Sequence, residues 1–365
     1  MRRRDFNLQL LALAGAAPLA AALQREALDQ AAGLFEKQVE TGQLRAATLH
    51  VRQGTYTFRR AFGEAKTPDA IFLIASISKP MTATGVMLLA DRGELSLDDP
   101  VHKFIPEFTE GDRKLITIQH LLTHTSGLPD QLPDNNELRK RHAPLKEFVA
   151  GAIRVPLLFK PGSKYSYQSM GILLAAEVAE RITKQPFPRF LEQQVFQPLG
   201  MTRTALDLGK FKISDTMLCQ VEYSAPESGG DDAAAAADWN WNSPYWRGLG
   251  APWGGAHSTS PDIARFLESF LEPDGKVLKP ETAKSMIVNH TPAIDQTRGL
   301  GFGIGPRGFG EKCSADTFGH GGSTGTVAWA DPQTGLTCVI LTTLPSRVSN
   351  KLLLRPASDL VSEAA

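Results

Sequence analysis

Strand-like segments lie near both ends of this 365-residue chain and are missing from its middle. A helical apolar rhythm over Arg25 to Glu40 leads into two strand-like runs, Ala46 to Val51 and Tyr56 to Phe62, which turn on each other around Gln53-Gly54. Strand signals return only at Gly301 to Gly305, Thr326 to Ala330 and Leu336 to Thr343, the last two linked by the turn Asp331-Pro332-Gln333-Thr334-Gly335. Between these ends, Pro100 to about Ala237 reads as helix or loop, with amphipathic helices over Met170 to Thr183 and Phe187 to Phe196. The pattern predicts an α+β fold: one antiparallel sheet built from both termini, flanked by helices, with an all-α domain inserted in the middle. The expected partition is an α/β domain from residues 23–99 and 245–365 and a helical domain over 100–244. A mobile insertion near 224–244 is expected from Gly229-Gly230-Asp231-Asp232 and the alanine run that follows. A cleft between the two lobes is the expected site.

Composition narrows the function classes. Lys+Arg and Asp+Glu are both 39, so the net charge is zero and no nucleic-acid partner is implied. Arg2-Arg3-Arg4-Asp5-Phe6 followed by an apolar stretch from Leu8 to Ala22 reads as a signal peptide over residues 1–22, resembling a twin-arginine signal, and predicts a periplasmic or secreted protein. Pro18 interrupts that stretch, which is also short for a stable membrane span; an uncleaved anchor is the other reading. Cys219, Cys313 and Cys338 permit at most one disulfide, with Cys313 and Cys338 the candidate pair, and their spacing fits no metal site.

Ser76-Ile77-Ser78-Lys79 places a hydroxyl and an amine three residues apart at the start of a predicted buried helix that continues from Met81 to Arg92 and ends at Gly93. A nucleophile and its base would then share one helix face, beside a free backbone N–H and the positive end of the helix dipole. The alternative is that Ser76 only caps the helix. Tyr167 follows a turn at Pro161-Gly162 and precedes the helix at Met170, where it could relay protons if it faces Lys79, a nearby ammonium favouring its phenolate form. Gly319-His320-Gly321-Gly322-Ser323-Thr324-Gly325 is a glycine-dense strand edge of the kind that lies against a ligand or another backbone. Asp316 with His320 also permits a Ser-His-Asp triad reading, but Lys79 already supplies a local base. His120 and His124 are spaced as metal ligands can be; with no third candidate nearby they read as structural.

Ser76-x-x-Lys79, Tyr167-x-Ser169 and His320-x-Gly322, in that order, resemble the serine β-lactamase and penicillin-binding-protein superfamily, in the branch holding class C β-lactamases, D-alanyl-D-alanine carboxypeptidases, D-aminopeptidases and related esterases. Ile116 to Pro129, with His124-Thr125-Ser126-Gly127 at its centre, and Ser258-Thr259-Ser260-Pro261-Asp262 are similar to further segments of that family. The resemblance implies the β-lactamase/transpeptidase-like fold and a serine hydrolase working through an acyl-Ser76 intermediate, with no metal or cofactor. In it Lys79 is the base, Tyr167 the proton relay, and the N–H groups of Ser76 and Ser323 the oxyanion donors.

Two departures bear on the substrate. Ser169 stands where class C β-lactamases carry asparagine, so the amide pair that binds a lactam side chain is missing. His320 stands where they carry lysine, so an imidazole, largely neutral at pH 7, replaces a permanent cation. Esters or small amides are therefore the expected substrates, followed by D-amino-acid peptides and then lactams; a non-catalytic penicillin-binding sensor is the competing class. Trp239, Trp241, Tyr245, Trp246 and Trp253 either line an acyl pocket, with Trp246 the chosen contact, or pack the insertion onto the core.

Overall fold

A computed structural model describes residues 23–365; the expected signal segment lies outside the described residues. Six antiparallel strands form the main sheet: β1 Ala46–Gln53, β2 Tyr56–Gly63, β5 Gly303–Ile304, β6 Phe318–Gly322, β7 Thr326–Asp331 and β8 Leu336–Thr342, in the order β2-β1-β8-β7-β6-β5. The N-terminal hairpin thus zips directly onto the last strand, with Leu49 opposite Ile340 and Val51 opposite Cys338. A second, two-stranded ladder joins β3 Phe72–Leu73 to β4 His257–Ser258 just ahead of Ser76.

Alternation along the strands sorts side chains into two apolar layers. Leu49, Val51, Val327, Trp329, Cys338 and Ile340 face the terminal helices Arg25–Glu40 and Arg355–Glu363, where Trp329 Nε1 donates to Ser358 Oγ at 3.1 Å. Ala328, Ala330, Val339 and Leu341 face the opposite layer, which runs without a break under the helix Ser260–Leu271 and into the helices Ser78–Asp91, Leu145–Arg154 and Met170–Thr183. Strand β8 is buried along its whole length. Such a strand, covered on both faces, reads as a continuous apolar run, as Leu336 to Leu341 nearly does. All three cysteines are buried free thiols, Cys313 Sγ lying 3.3 Å from Ser362 Oγ. Among the described residues, no helix is long and apolar enough to cross a membrane.

Residues 221–243 fold into short turns rather than long helices, with Ala236, Trp239 and Trp241 buried. The Arg139 guanidinium reaches across to the Glu227 and Trp239 carbonyls at 2.8 and 3.2 Å. The helical reading of Phe187–Phe196 resolves into an α-helix to Leu191 and a wider π-turn over Glu192–Phe196.

The Ser76 segment is clamped against the sheet. Ser76 lies in a single 3-10 turn, Ala75–Ile77, that runs straight into the helix Ser78–Asp91. Ala75 adopts φ +46, a left-handed conformation that costs an L-residue about 1–2 kcal/mol. Surrounding bonds hold it there: Thr324 Oγ1 donates to Leu73 O at 2.7 Å, Thr326 Oγ1 to Ile74 O at 3.1 Å, and the Ile74 N–H to Ala256 O at 2.9 Å. Close approach of β6 to this turn requires glycine at 322, where a Cβ would sit 2.4 Å from Ile74 O and 2.2 Å from Thr326 Oγ1. At Gly321 the nearest atom to a Cβ is 3.8 Å away. Gly322→Ala should therefore destabilise the protein by about 1–3 kcal/mol in urea unfolding, while Gly321→Ala stays within about 0.5 kcal/mol of wild type. Equal midpoints for the two variants would show that this close approach does not constrain the fold.

Candidate active site

Ser76, Lys79 and Tyr167 converge in the structure. Lys79 is fully buried in the first turn of its helix, and among the described residues its ammonium nitrogen has two hydrogen-bond partners: Ser76 Oγ at 3.0 Å and Trp253 O at 2.9 Å. Burial pushes its pKa from 10.5 down to about 7; Asp130 opposes that shift and the Arg298 cation reinforces it. Every residue of this helix from Ser78 to Leu89 is buried, which is why the amine cannot reach water. Lys79 is thus poised between its charged and neutral forms near neutral pH.

The Tyr167 ring lies 4.7 Å from Lys79 Nζ. Burial raises the phenol pKa, opposed in part by the Ser76 hydroxyl it faces. The expected stabilisation of a phenolate by a neighbouring ammonium is therefore overruled: desolvation penalises the anion more, and Tyr167 is a neutral phenol at pH 7. Its position comes from the His120 to Ser126 segment. The Gln168 N–H donates to His124 Nδ1 at 3.2 Å, Gln168 Nε2 donates to His120 O at 3.2 Å, and the Ser126 hydroxyl donates to Gln168 Oε1. The His124 ring packs 4.7 Å from that of Tyr167. His120 and His124 point to different tasks, since His120 Nδ1 accepts from the Thr117 N–H and caps the helix Ile118–Leu122.

His320 sits on β6 with its ring 6.0 Å from that of Tyr167. Its Nδ1 lies 2.6 Å from Gly321 O, which places the proton on Nδ1 and leaves Nε2 a buried acceptor without a partner among the described residues. Burial first, then the Arg298 and Lys79 charges, hold its pKa well down, so the imidazole is neutral. Asp316 takes no part: it accepts from Gln333 Nε2 at 2.9 Å on the surface, and no Ser-His-Asp triad forms.

Two cavities meet at Ser76. One, of about 160 Å³, is walled by Trp241, Trp246 and Trp253 and carries Asp130, Ser169, Gly254 and Ser323. The other, of about 340 Å³, carries Arg298, Arg307, His320, Gly322 and Ser323. Ser76, Tyr167 and Ser323 line both. Neither the Ser76 nor the Ser323 backbone N–H donates to an acceptor among the described residues, which leaves both free for an oxyanion. Trp246 and Trp253 meet edge to face at 6.4 Å, and the Arg139 guanidinium stacks 4.1 Å over Trp246. Trp239 and Tyr245 serve packing instead, Tyr245 donating its hydroxyl to Ala143 O at 2.9 Å.

Sequence reading missed two charged residues here. Asp130 follows the Ile116–Pro129 segment by one position and accepts from Ser169 Oγ at 2.6 Å, so Ser169 is already engaged by a carboxylate. Arg298 lies in the loop before β5, where no motif marks it.

A family model described as Beta-lactamase matches residues 31–361. Esterase EstB of Burkholderia gladioli is 31% identical over 339 residues, covering 81% of this chain and 85% of EstB. Among solved structures, EstCE1, a hydrolase with promiscuous acyltransferase activity, shares the fold at TM-score 0.73 and 21% identity, covering 92% of this chain and 99% of its own. D-amino acid amidase from Ochrobactrum anthropi SV3, solved with D-phenylalanine, does so at TM-score 0.73 and 24% identity, covering 92% and 98%. With a family match that spans nearly all the described residues, the protein belongs to the Beta-lactamase family of serine hydrolases.

Proposed function

We propose that the protein is an exported hydrolase of esters or small amides that turns over through an acyl-Ser76 intermediate. The observation that carries this reading is the fully buried Lys79 amine, 3.0 Å from Ser76 Oγ and with a pKa brought down to about 7. Neutral Lys79 takes the hydroxyl proton as Ser76 Oγ bonds to the substrate carbonyl carbon. The carbonyl oxygen becomes an oxyanion held by the N–H groups of Ser76 and Ser323. Collapse breaks the bond to the leaving group, which receives a proton through the Tyr167 hydroxyl while Lys79 resupplies that hydroxyl. Water then enters by the reverse path, its proton passing to Tyr167 and Lys79, and releases the acid and free Ser76.

Ester substrates are favoured on two grounds. EstB, the 31%-identical relative, is named an esterase. Ser169, tied to Asp130, offers no amide to a lactam side chain. Asp130 supports a second reading, amides of D-amino acids or D-peptides, because a carboxylate in the tryptophan-walled cavity suits an acyl group bearing an ammonium. A class C-type β-lactamase and a sensor that is acylated without turnover are the remaining alternatives. Residues 1–22 supply the export signal in this reading.

Hydrolysis of p-nitrophenyl butyrate beside a chromogenic cephalosporin tests the assignment. Ester turnover should fall at least about a thousandfold in Ser76→Ala with the fold retained. Retained turnover would remove Ser76 as nucleophile, and faster cephalosporin turnover would restore the lactamase reading. Tyr167→Phe should lower kcat by about a hundred- to ten-thousandfold; an unchanged kcat would exclude the phenol from proton transfer. Because only neutral Lys79 accepts a proton, kcat/KM should climb about tenfold per pH unit below about 7 and level off above it. A profile flat down to pH 5 would exclude Lys79 as the titrating base.

A further inference from the structure

Arg139 turns inward from a short helix, Asn135–Lys140, whose other cations face solvent. Lys140 and the following Arg141 pair with Glu137 and Glu147 on the surface, whereas Arg139 has no carboxylate within ion-pair distance among the described residues. It is 2% exposed, and its Nε is enclosed without an acceptor. Burial lowers its pKa from 12.5 to about 10, against the pull of Tyr245 and Glu227, so it stays charged at pH 7. A charge desolvated without a counter-ion is costly to a fold. What this one holds is a strap. Its Nη1 and Nη2 grip the two ends of one segment through the Glu227 and Trp239 carbonyls, at 2.8 and 3.2 Å. Among the described residues, these two are the hydrogen bonds that tie residues 225–239 to anything outside 221–243. The segment's other bonds are local: the Gly230 N–H donates to Ala225 O at 3.1 Å, and Asn240 Nδ2 to Ala233 O at 3.3 Å.

The strap is a wall of the site. Ala225, Glu227 and Ser228 line the 160 Å³ cavity, facing Ser76 across it, together with Trp246 and Arg139 itself. Arg139 therefore clasps two walls at once: its Nη donors hold the strap, and its flat face lies 4.1 Å over Trp246, a cation–π contact strengthened by desolvation. Three tryptophan faces make this the cavity for the acyl group, since the other is lined by Arg298, Arg307 and His320. A cavity of about 150 Å³ holds one benzene molecule, so the room left between these walls suits an acyl group of about that bulk.

We propose that Arg139 is a positioning residue that sets acyl-group specificity: by clasping residues 225–239 against Trp246, it closes the tryptophan cavity around acyl groups no bulkier than about one benzene ring. This rests on the hydrolase reading above and names the size class of the acyl group at that same site. The planar fork is what the task requires, because two divergent carbonyls and an indole face are held by one rigid group, which a lysine ammonium on a flexible stem matches only in part.

Two measurements on the full-length protein separate the clasp from the chemistry. In the first, kcat/KM is compared for p-nitrophenyl phenylacetate and p-nitrophenyl 1-naphthylacetate, which share a leaving group and differ by one fused ring. Wild type should favour the phenylacetate by about ten- to a hundredfold, the range of an overfilled packed site. This ratio should collapse toward one in Arg139→Met and recover in part in Arg139→Lys. Taking the ratio cancels any common effect carried to Lys79 through Trp246 and Trp253. Gly230→Ala leaves Arg139 in place but would set a Cβ 1.9 Å from Ser224 O, displacing the strap from within. It should lower the ratio as Arg139→Met does, and it carries the test if Arg139→Met does not fold. In the second, calorimetric binding of phenylacetamide and 1-naphthylacetamide needs no turnover. Binding of phenylacetamide at least about tenfold tighter in wild type, with the difference lost in the variants, supports the clasp. Equal treatment of one and two rings by wild type, or a preference unchanged in folded Arg139→Met or Gly230→Ala, overturns it. Hydrolysis of neither ester, with the binding preference present in wild type and lost in the variants, would sink the hydrolase reading and leave the clasp standing.

Discussion

Desolvation of one amine organises this protein. Lys79 lies in a helix buried on every side over its first twelve residues, with a hydroxyl and a carbonyl as its hydrogen-bonding neighbours among the described residues. Water would hold that ammonium charged; the apolar surroundings remove this advantage and bring the pKa to about 7. The helix must therefore be covered by the helical region on one side and by the Trp253 segment on the other. The continuous apolar layer from the sheet to the helices Leu145–Arg154 and Met170–Thr183 provides this cover. Packing and acid-base chemistry are the same requirement here, since an opening that hydrated Lys79 would also restore its charge.

Charge is arranged around Ser76 by sign. Asp130 stands in the tryptophan-walled cavity and Arg298 in the cavity lined by β6. Asp130 favours the protonated form of Lys79 and Arg298 the neutral form, so the lysine is balanced between opposite fields while burial sets the overall direction. The same burial and the same cations keep His124 and His320 neutral. Each imidazole is then fixed in one tautomer by a backbone group: His124 Nδ1 accepts from the Gln168 N–H, and His320 Nδ1–H faces the Gly321 carbonyl. These residues order the Tyr167 loop and the β6 edge without adding charge of their own.

The sheet supplies the rigidity this balance needs. Strand β6 approaches the Ala75–Ile77 turn at glycine distance, and two threonines, 324 and 326, bond to the carbonyls of Leu73 and Ile74. The left-handed Ala75 is held by these contacts from a part of the chain some 250 residues away. Backbone strain of this kind persists only where the surroundings over-determine it, and it aims the Ser76 hydroxyl at the junction of the two cavities.

Much of this architecture was legible in the sequence because it rests on local periodicity. The helices at Arg25–Glu40 and Met170–Thr183, the N-terminal hairpin and strands β7 and β8 follow from apolar spacing and turn residues, and the placing of strands at both termini implied one shared sheet. Ser76 and Lys79 were legible too, because three residues of helix bring them together whatever the rest of the chain does. Asp130 and Arg298 were not: each is a charged residue in a loop, and nothing local distinguishes it from a solvated surface charge. Only the tertiary structure decided that the amine would be buried, that Tyr167 would stay a neutral phenol, and that an arginine 219 positions beyond Lys79 would line the same cavity as Ser76. The reason is physical: periodicity acts over one or two turns of chain, whereas desolvation and charge coupling depend on which distant segments close over a group.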